Sequence, residues 1–133
     1  MASRSLDDLR PEFRERVDAW LASCAAISLD ILVYCTLRTD AEQDALFAQG
    51  RTVPGHILTN ARAGQSAHNF GLGLDHVPLV NGKPQWIPGN PLYLHSVDIA
   101  RAHGLDSLSQ SSFPEWPHLQ MPNWRALIDQ HTA

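Results

Sequence analysis

The pattern of apolar and polar positions divides the first part of the chain into helical and extended segments. Between residues 5 and 26, apolar side chains recur every three or four positions, which predicts an amphipathic helix. Residues 29–37 form a short apolar run rich in strand-forming residues, and this run predicts a central strand. A second helix is predicted through residue 49, because Thr39 and Glu42 have the spacing of a capping box and Gly50 ends the run.

The rest of the chain predicts a loop, a hairpin and further helices. Residues 51–65 contain two glycines and a proline and are expected to form a long surface loop, of a kind that often borders functional sites. The dipeptide Asn81-Gly82 is a strong hairpin signal between alternating segments. The predicted elements are strands at 72–80 and 83–87, a helix from Asn90 to 103, a serine-rich loop at 107–112, a strand at 115–120 and a helix from Asn123 to about 130.

The order of these elements indicates the fold class. Helices and strands are mixed with a hairpin and show no regular strand–helix–strand repeat, so the class is predicted to be α+β. The sequence has no internal repeat and no linker. A length of 133 residues is enough for one core, and a single domain is expected over residues 1–133.

Composition and charge exclude two classes of function. The formal net charge of −4 is unlike the basic surface of a nucleic-acid-binding protein. No stretch approaches the roughly 18 apolar residues of a membrane span. The first residues lack the apolar core of a signal peptide, so we expect cytoplasmic synthesis. Cys24 and Cys35 are expected to be buried and unpaired.

Two separated segments carry side chains that suit a catalytic zinc site. His68 and Asp75 lie in the first segment, and Glu115 and His118 lie in the second. Such a site needs three protein ligands, one open position and a base for water, and this set can supply them. An ordinary interpretation stays open, because a lone histidine is most often a surface residue or a satisfied core residue.

The first segment must form a tight turn if its two residues are to share a metal ion. Seven residues of helix would separate His68 from Asp75 by about 10 Å, which is too far. Gly71 and Gly73 allow a turn instead, with Asp75 on the strand that follows. His76 comes directly after Asp75, so its side chain is expected to face away from the ligands.

The second segment needs a bend. Prolines at positions 114 and 117 exclude a regular helix, and residues three apart on a strict strand face opposite sides. A bend around Trp116-Pro117 is therefore required if Glu115 and His118 are both to reach the site.

Both segments resemble motifs of a known family of enzymes. Ser66-x-His68-x-x-Gly71-x-Gly73-x-Asp75 resembles the Ser-x-His-x-x-Gly-x-Ala-x-Asp signature of the M15 family of zinc D-Ala-D-Ala and VanY-like peptidases. The second segment resembles that family's closing Glu/Asp-x-x-His. The resemblance continues upstream through Tyr34-Cys-Thr-Leu-Arg38, Glu42-Gln43 and residues 49–55, in the motif order of single-domain phage endolysins of the L-alanyl-D-glutamate peptidase type.

This resemblance implies a fold and a set of residue roles. The fold would be of the hedgehog/DD-peptidase kind, with a small antiparallel sheet flanked by helices. His68, Asp75 and His118 would bind Zn²⁺, and Glu115 would be the general base. Arg38 would contact a carboxylate or carbonyl of the substrate, and Ser66 and Gln43 would either contact substrate or support the residues that do.

The function implied is cleavage of the L-Ala–D-Glu bond in the peptidoglycan stem peptide. The protein would be a monomeric phage or prophage lysis enzyme that reaches the cell wall after holin-type release. Two alternatives stay open. One is a D,D- or L,D-carboxypeptidase or D-Ala-D-Ala dipeptidase on the same scaffold, and the other is a cell-wall-binding module with weakened turnover.

Four features depart from the family pattern. Gly73 replaces the usual alanine, His76 replaces an apolar residue, and Ser28 occupies the place of a glycine between the first helix and the first strand. The Gly/Trp-rich stretch that lines the cleft in relatives is replaced by residues 104–111, which lack both tryptophans. This last departure concerns substrate choice and activity, since the implied ligands are all present.

Overall fold

One long strand organises the sheet. In a computed structural model, which describes residues 2–132, β2 (Gly73–Val80) pairs antiparallel with β1 (Asp30–Cys35) on one side. Two strands pair with β2 elsewhere along its length, and these are β5 (Glu115–Gln120) and β3 (Lys83–Pro84). A short strand, β4 (Asp106–Leu108), pairs with β5, so the order is β1-β2-β5-β4.

Four α-helices accompany this sheet. They are α1 (Pro11–Ala26), α2 (Asp40–Ala48), α3 (Pro91–Ala102) and α4 (Trp124–Thr132). An antiparallel sheet flanked by helices confirms the α+β prediction. No helix within residues 2–132 is long and apolar enough to cross a membrane.

The predicted helix over residues 5–26 is in fact two helices. A 3-10 helix covers Leu6–Asp8, and α1 begins only at Pro11. Proline has no N–H to donate and disfavours the helical conformation in the residue before it. Arg10 is accordingly extended, with φ −62° and ψ 146°, and the two helices cannot join.

The strands differ from their predictions in three places. β1 lies at one end of the strand order and is not central, and its side chains are mostly half-buried. The first two residues of the predicted loop at 107–112 belong to β4, which pairs with β5. The predicted strand at 83–87 is limited to Lys83–Pro84. Short edge strands carry a weak sequence signal, because only one side of each is paired.

Local signals predicted the other elements well. Thr39 and Glu42 form the expected capping box at the start of α2. Asn81-Gly82 turns β2 into β3 with positive φ at both residues. Ser28, between α1 and β1, also takes a left-handed φ of 59°, where glycine would be favoured.

The hydrophobic core lies between α1 and the sheet. Phe13, Val17 and Trp20 on one face of α1 are fully buried and belong to the same cluster as Leu74 of β2 and Leu119 of β5. Both cysteines are buried and free, as expected. This packing holds β2 and β5 against α1, and the opposite side chains of those strands are left to line a cleft.

The Asn90 side chain offers a test of how the segment before α3 is held. Its Oδ1 accepts hydrogen bonds from the N–H groups of Leu92 and Tyr93, and its amide donates to the carbonyls of Gln85 and Ile87. We expect Asn90→Ala to lower the free energy of unfolding by about 1–2 kcal/mol in urea titration. A loss below about 0.3 kcal/mol would contradict a stabilising cap.

Candidate metal centre

Three potential ligand atoms meet beside β2. Nε2 of His68 lies 3.1 Å from Oδ1 of Asp75 and 3.1 Å from Nδ1 of His118. Nδ1 of His118 lies 3.4 Å from the same carboxylate oxygen. The three atoms form a nearly equilateral triangle, so the structure brings together the two segments that carry the sequence motifs.

A tight turn holds His68 at this point. His68 belongs to a 3-10 helix, Ala67–Phe70, and its N–H donates to the Oγ of the N-cap residue Ser66 at 3.2 Å. Gly71 ends the turn with a left-handed φ of 69°. The chain then enters β2 directly, which matches the predicted path from a turn into a strand.

Asp75 lies where β2 is paired on both sides. Its register partners are Cys35 in β1 and His118 in β5. Gly73 leaves room for the His118 ring, because a Cβ at Gly73 would lie only 3.1 Å from Cε1 of that ring. A carboxylate in such a place is costly unless it is compensated. Its Oδ2 lies 3.4 Å from Nη2 of Arg38, which supplies part of that compensation.

Hydrogen bonds on the far side of each imidazole orient the two rings. Nδ1 of His68 donates to the carbonyl oxygen of Thr36 at 2.8 Å, and Nε2 of His118 donates to Oε1 of Gln120 at 2.8 Å. In a neutral ring the remaining nitrogen keeps its lone pair. Both lone pairs then point towards the carboxylate of Asp75. Three acceptors that face one another need a cation between them, either a proton or a metal ion.

The dimensions of the triangle fit a zinc ion. Ligand atoms at about 2.0–2.1 Å from a tetrahedral ion lie about 3.3 Å from one another. The three distances here are 3.1, 3.1 and 3.4 Å. Two imidazole nitrogens and one carboxylate oxygen are also a donor set that catalytic zinc sites use, with a fourth position left for water or substrate.

Charge in the cluster favours ionised Asp75. Burial alone would raise the pKa of Asp75, but the charges and hydrogen bonds of His68 and His118 hold it well below its usual range. Burial would lower the pKa of His118, yet the hydrogen bond and charge of Asp75 raise it. Burial lowers the pKa of His68. Asp75 therefore favours protonation of His118 over His68 in the metal-free cluster, and a metal ion bound there would compete with that proton.

Glu115 lines the same cleft as the three potential ligands. Burial raises the pKa of its carboxyl group, and the nearby charge of His118 offsets part of this rise. Within residues 2–132 its carboxylate makes no side-chain hydrogen bond. A half-buried carboxylate without a protein donor beside three metal ligands is suited to exchange protons with a bound molecule.

The three predicted substrate contacts are placed differently from one another. Arg38 and Ser66 line the cleft, whereas Gln43 is fully buried and does not reach it. The Gln43 amide donates to the carbonyl of Ala61, and its Oε1 accepts from Nη1 of Arg38 at 2.8 Å. Gln43 was expected either to contact substrate or to support a residue that does, and both ends of its amide are used inside the protein to hold Arg38 and the loop.

Sequence reasoning missed Cys35 as part of this cluster. Its Sγ lies 3.3 Å from Nη2 of Arg38 and 3.7 Å from Nδ1 of His68, and it forms with His68 and Asp75 a group of potential metal donors. We favour His118 as the third donor, because Nδ1 of His68 already donates to Thr36. The signal available was position: Cys35 ends β1, three residues before Arg38.

The cleft has a volume of about 1240 Å³ and is rich in aromatic side chains. These side chains come from five separate parts of the chain and not from the stretch at 104–111. They are Tyr34, Trp86, Phe113, Trp116 and Trp124. The cleft is therefore lined by aromatic rings although residues 104–111 contain no tryptophan.

His76 faces away from the cleft, as predicted, and is fully buried. Its ring contacts Trp20 and Tyr93 edge to face, with centroid distances of 5.0 and 5.4 Å. Burial lowers the pKa of His76 to about 4, so the ring is neutral at physiological pH.

Comparison with known proteins gives concordant results. The chain is 34% identical to the peptidoglycan L-alanyl-D-glutamate endopeptidase CwlK of Bacillus subtilis, over 87% of this chain and 75% of that protein. Its fold is similar to the Serratia marcescens L-Ala D-Glu endopeptidase ChiX, with a TM-score of 0.72, 18% identity, and coverage of 96% of this chain and 92% of that one. No family sequence model matches the chain.

A second solved structure extends the likeness. The vancomycin-resistance D,D-pentapeptidase VanY, solved in complex with Zn(II), has a TM-score of 0.65 at 14% identity, covering 94% of this chain and 79% of that one. The fold and the cluster of two histidines and one aspartate define a metallopeptidase of the DD-peptidase type. The chain belongs to the M15 family of zinc peptidases.

The buried neutral His76 predicts a specific loss of stability in acid. An unfolded histidine has a pKa near 6.5, and the folded value is about 4. The unfolded state therefore binds more protons between these values, and stability falls as pH falls through this range. Between pH 7 and pH 4, metal-free protein should lose about 3 kcal/mol more than His76→Phe in urea titrations. Equal losses would contradict a neutral buried ring.

Proposed function

We propose that this protein is a zinc-dependent peptidoglycan hydrolase that cleaves the L-Ala–D-Glu bond of stem peptides. The observation that carries the proposal is the triangle of three potential ligand atoms, at 3.1–3.4 Å from one another, in a cleft that Glu115 also lines. Its substrate is inferred from the relatives, because CwlK and ChiX are both L-Ala–D-Glu endopeptidases.

His68, Asp75 and His118 would hold the zinc ion. Zn²⁺ bound there would supply Lewis acidity to the scissile carbonyl and lower the pKa of water at the site. The ligands are preorganised for this role, because Thr36 and Gln120 already fix the orientation of the two rings.

Glu115 would move the proton. Its carboxylate would take a proton from the attacking water and then deliver it to the amine of the leaving peptide. Because burial raises its pKa, Glu115 is a stronger base than an exposed glutamate and a better match to the proton it must carry. This role needs a carboxylate that accepts no hydrogen bond from the protein, and among the described residues no side chain donates to Glu115.

Cationic side chains suit the cleft to an acidic peptide. Arg38 and two further arginines, Arg4 and Arg125, line it. The guanidinium of Arg125 lies 4.8 Å above the ring of Trp124, and this contact limits its freedom. The carboxylates of a stem peptide lie on the D-Glu side of the scissile bond, beginning with D-Glu itself, and planar guanidinium groups bind carboxylates well.

We further propose the biological setting that the motif order implies. In this setting residues 1–133 form one monomeric catalytic domain of a phage or prophage lysis enzyme. It would be made in the cytoplasm and would reach the wall after holin-type release. The proposal is supported by the resemblance of the motif order to single-domain phage endolysins.

Substitution of the proposed base tests the mechanism. Glu115→Gln keeps the shape of the side chain but cannot accept the proton, so we expect kcat to fall by at least about 100-fold. Zinc content, measured by elemental analysis, should stay at one ion per chain. The matched control is Glu15→Gln on the exposed face of α1, which should retain full activity. A fully active Glu115→Gln would overturn the assignment.

Product mapping tests the bond that is cleaved. Purified sacculi would be digested with the zinc-loaded protein and the soluble products identified by mass spectrometry. Peptides that begin at D-Glu support the endopeptidase. Release of terminal D-Ala would support the carboxypeptidase or dipeptidase alternative instead. No product from folded, zinc-loaded protein would support the wall-binding module.

Removal of one ligand tests the metal site. Asp75→Ala should abolish stoichiometric zinc binding and lower the melting temperature of zinc-treated protein, because metal binding is coupled to folding. Asp98→Ala is the control, since Asp98 lies on α3 with an exposed side chain. If Asp75→Ala still bound one zinc ion per chain with unchanged affinity, Asp75 would not be a ligand.

A further inference from the structure

His76 forms the centre of a hydrogen-bonded network behind the metal cluster. Its Nδ1 lies 2.8 Å from the carbonyl oxygen of Pro117, and its Nε2 lies 2.8 Å from Oγ of Ser96. A carbonyl can only accept, so Nδ1 carries the proton and donates to Pro117. Nε2 is then an acceptor, and the single hydrogen of the Ser96 hydroxyl is shared between Nε2 and the carbonyl of Tyr93, which lies 3.1 Å from Oγ.

The hydrogen bond from His76 reaches the Pro117 carbonyl at the point where the pairing of β2 with β5 ends. The ladder between β2 and β5 ends at the pair of Asp75 and His118. Pro117, the next residue, has no N–H with which to continue it. Only two residues, Trp116 and Pro117, lie between Glu115 and His118. The pairing of β2 with β5 does not extend to Pro117, and the His76 ring connects this part of β5 to β2 instead.

Tyr93 of α3 makes further contacts with the same part of the sheet. The hydroxyl of Tyr93 donates to the carbonyl of His76 at 3.0 Å, and its ring packs against Trp116 with a centroid distance of 6.1 Å. Trp116 and Pro117 are therefore each held in place, Trp116 by Tyr93 of α3 and Pro117 by His76 of β2. An apolar residue at position 76 could fill the volume but could not donate to the carbonyl.

We propose that His76 is a positioning residue for the metal site, which holds the Pro117 carbonyl and so sets the relative placement of His118 and Glu115. It acts through the backbone and does not touch substrate or metal. This inference rests on the proposed function of His118 as a ligand and Glu115 as the base.

Three substitutions separate the hydrogen bond from simple packing. His76→Phe fills the site without a donor. His76→Asn places an amide nitrogen where Nδ1 lies and can still donate to Pro117, whereas His76→Gln places it nearer the position of Nε2. His95→Phe, at an exposed position on α3, is the control for the replacement itself.

Two measurements are made on each folded variant. One is zinc affinity by competition with a chromogenic chelator, and the other is the separation of kcat from KM on purified stem peptide. We expect His76→Phe and His76→Gln to bind zinc about 10-fold more weakly and to lose kcat about 10-fold or more, with KM within about threefold. His76→Asn should recover both values to within about threefold of the unsubstituted protein.

The outcomes are distinguishable. Unchanged zinc affinity and kcat in His76→Phe would overturn the proposal. Equal impairment of the Asn and Gln variants would also overturn it, because packing and not donation would then be responsible. If His76→Phe does not fold, the comparison of Asn with Gln still decides. Failure of the unsubstituted protein to cleave L-Ala–D-Glu would contradict the proposed function, while zinc affinity would still test His76.

Discussion

The need to compensate one buried carboxylate governs the arrangement of this protein. Asp75 lies in the middle of the sheet, with paired strands on both sides, and its side chain is only 17% exposed, so its charge needs partners within the protein. Two imidazoles and the Arg38 guanidinium converge on it from three different elements. The turn before β2, the end of β1 and the bend in β5 are all placed so that these groups can reach a single carboxylate.

Most of the remaining polar structure supports the groups that surround Asp75. The rings of His68 and His118 are each oriented by an acceptor on the far side, Gln43 holds Arg38, and His76 holds the backbone beside His118. Each of these supporting residues is buried or half-buried, and each uses its hydrogen-bonding groups inside the protein. A site built in this way is rigid before any metal or substrate arrives, which lowers the cost of binding.

Sequence alone was sufficient where a local signal determines the structure. The capping box at Thr39, the Asn81-Gly82 turn and the helix start at Asn90 were all predicted, because each depends on a few adjacent residues. The convergence of the two motif segments was expected only through the family resemblance, since a contact across fifty positions leaves no local trace.

The misplaced features depend on tertiary pairing. Whether β1 is central or terminal is decided by the partner strands and not by its own composition, and β4 exists only because β5 pairs with it. The resemblance implied for Gln43 either a substrate contact or a supporting role, and its burial beneath the loop depends on tertiary contacts that the sequence does not reveal. The place of Cys35 in the cluster and the hydrogen bonds of His76 were not foreseen, because their partners lie in distant parts of the chain or in the backbone.

The acceptor that orients His68 has a consequence for the N-terminal segment. Thr36, whose carbonyl receives the His68 proton, is itself held by that segment: its N–H donates to the carbonyl of Ser3 at 2.7 Å and its hydroxyl to the carbonyl of Ser5 at 2.9 Å. Thermodynamic linkage is reciprocal. If docking of the N-terminal segment favours the metal-binding orientation of His68, then metal binding by His68 must favour docking of that segment by the same free energy. Truncation or fusion at the N-terminal segment, which is far in sequence from the proposed ligands, would then change metal affinity.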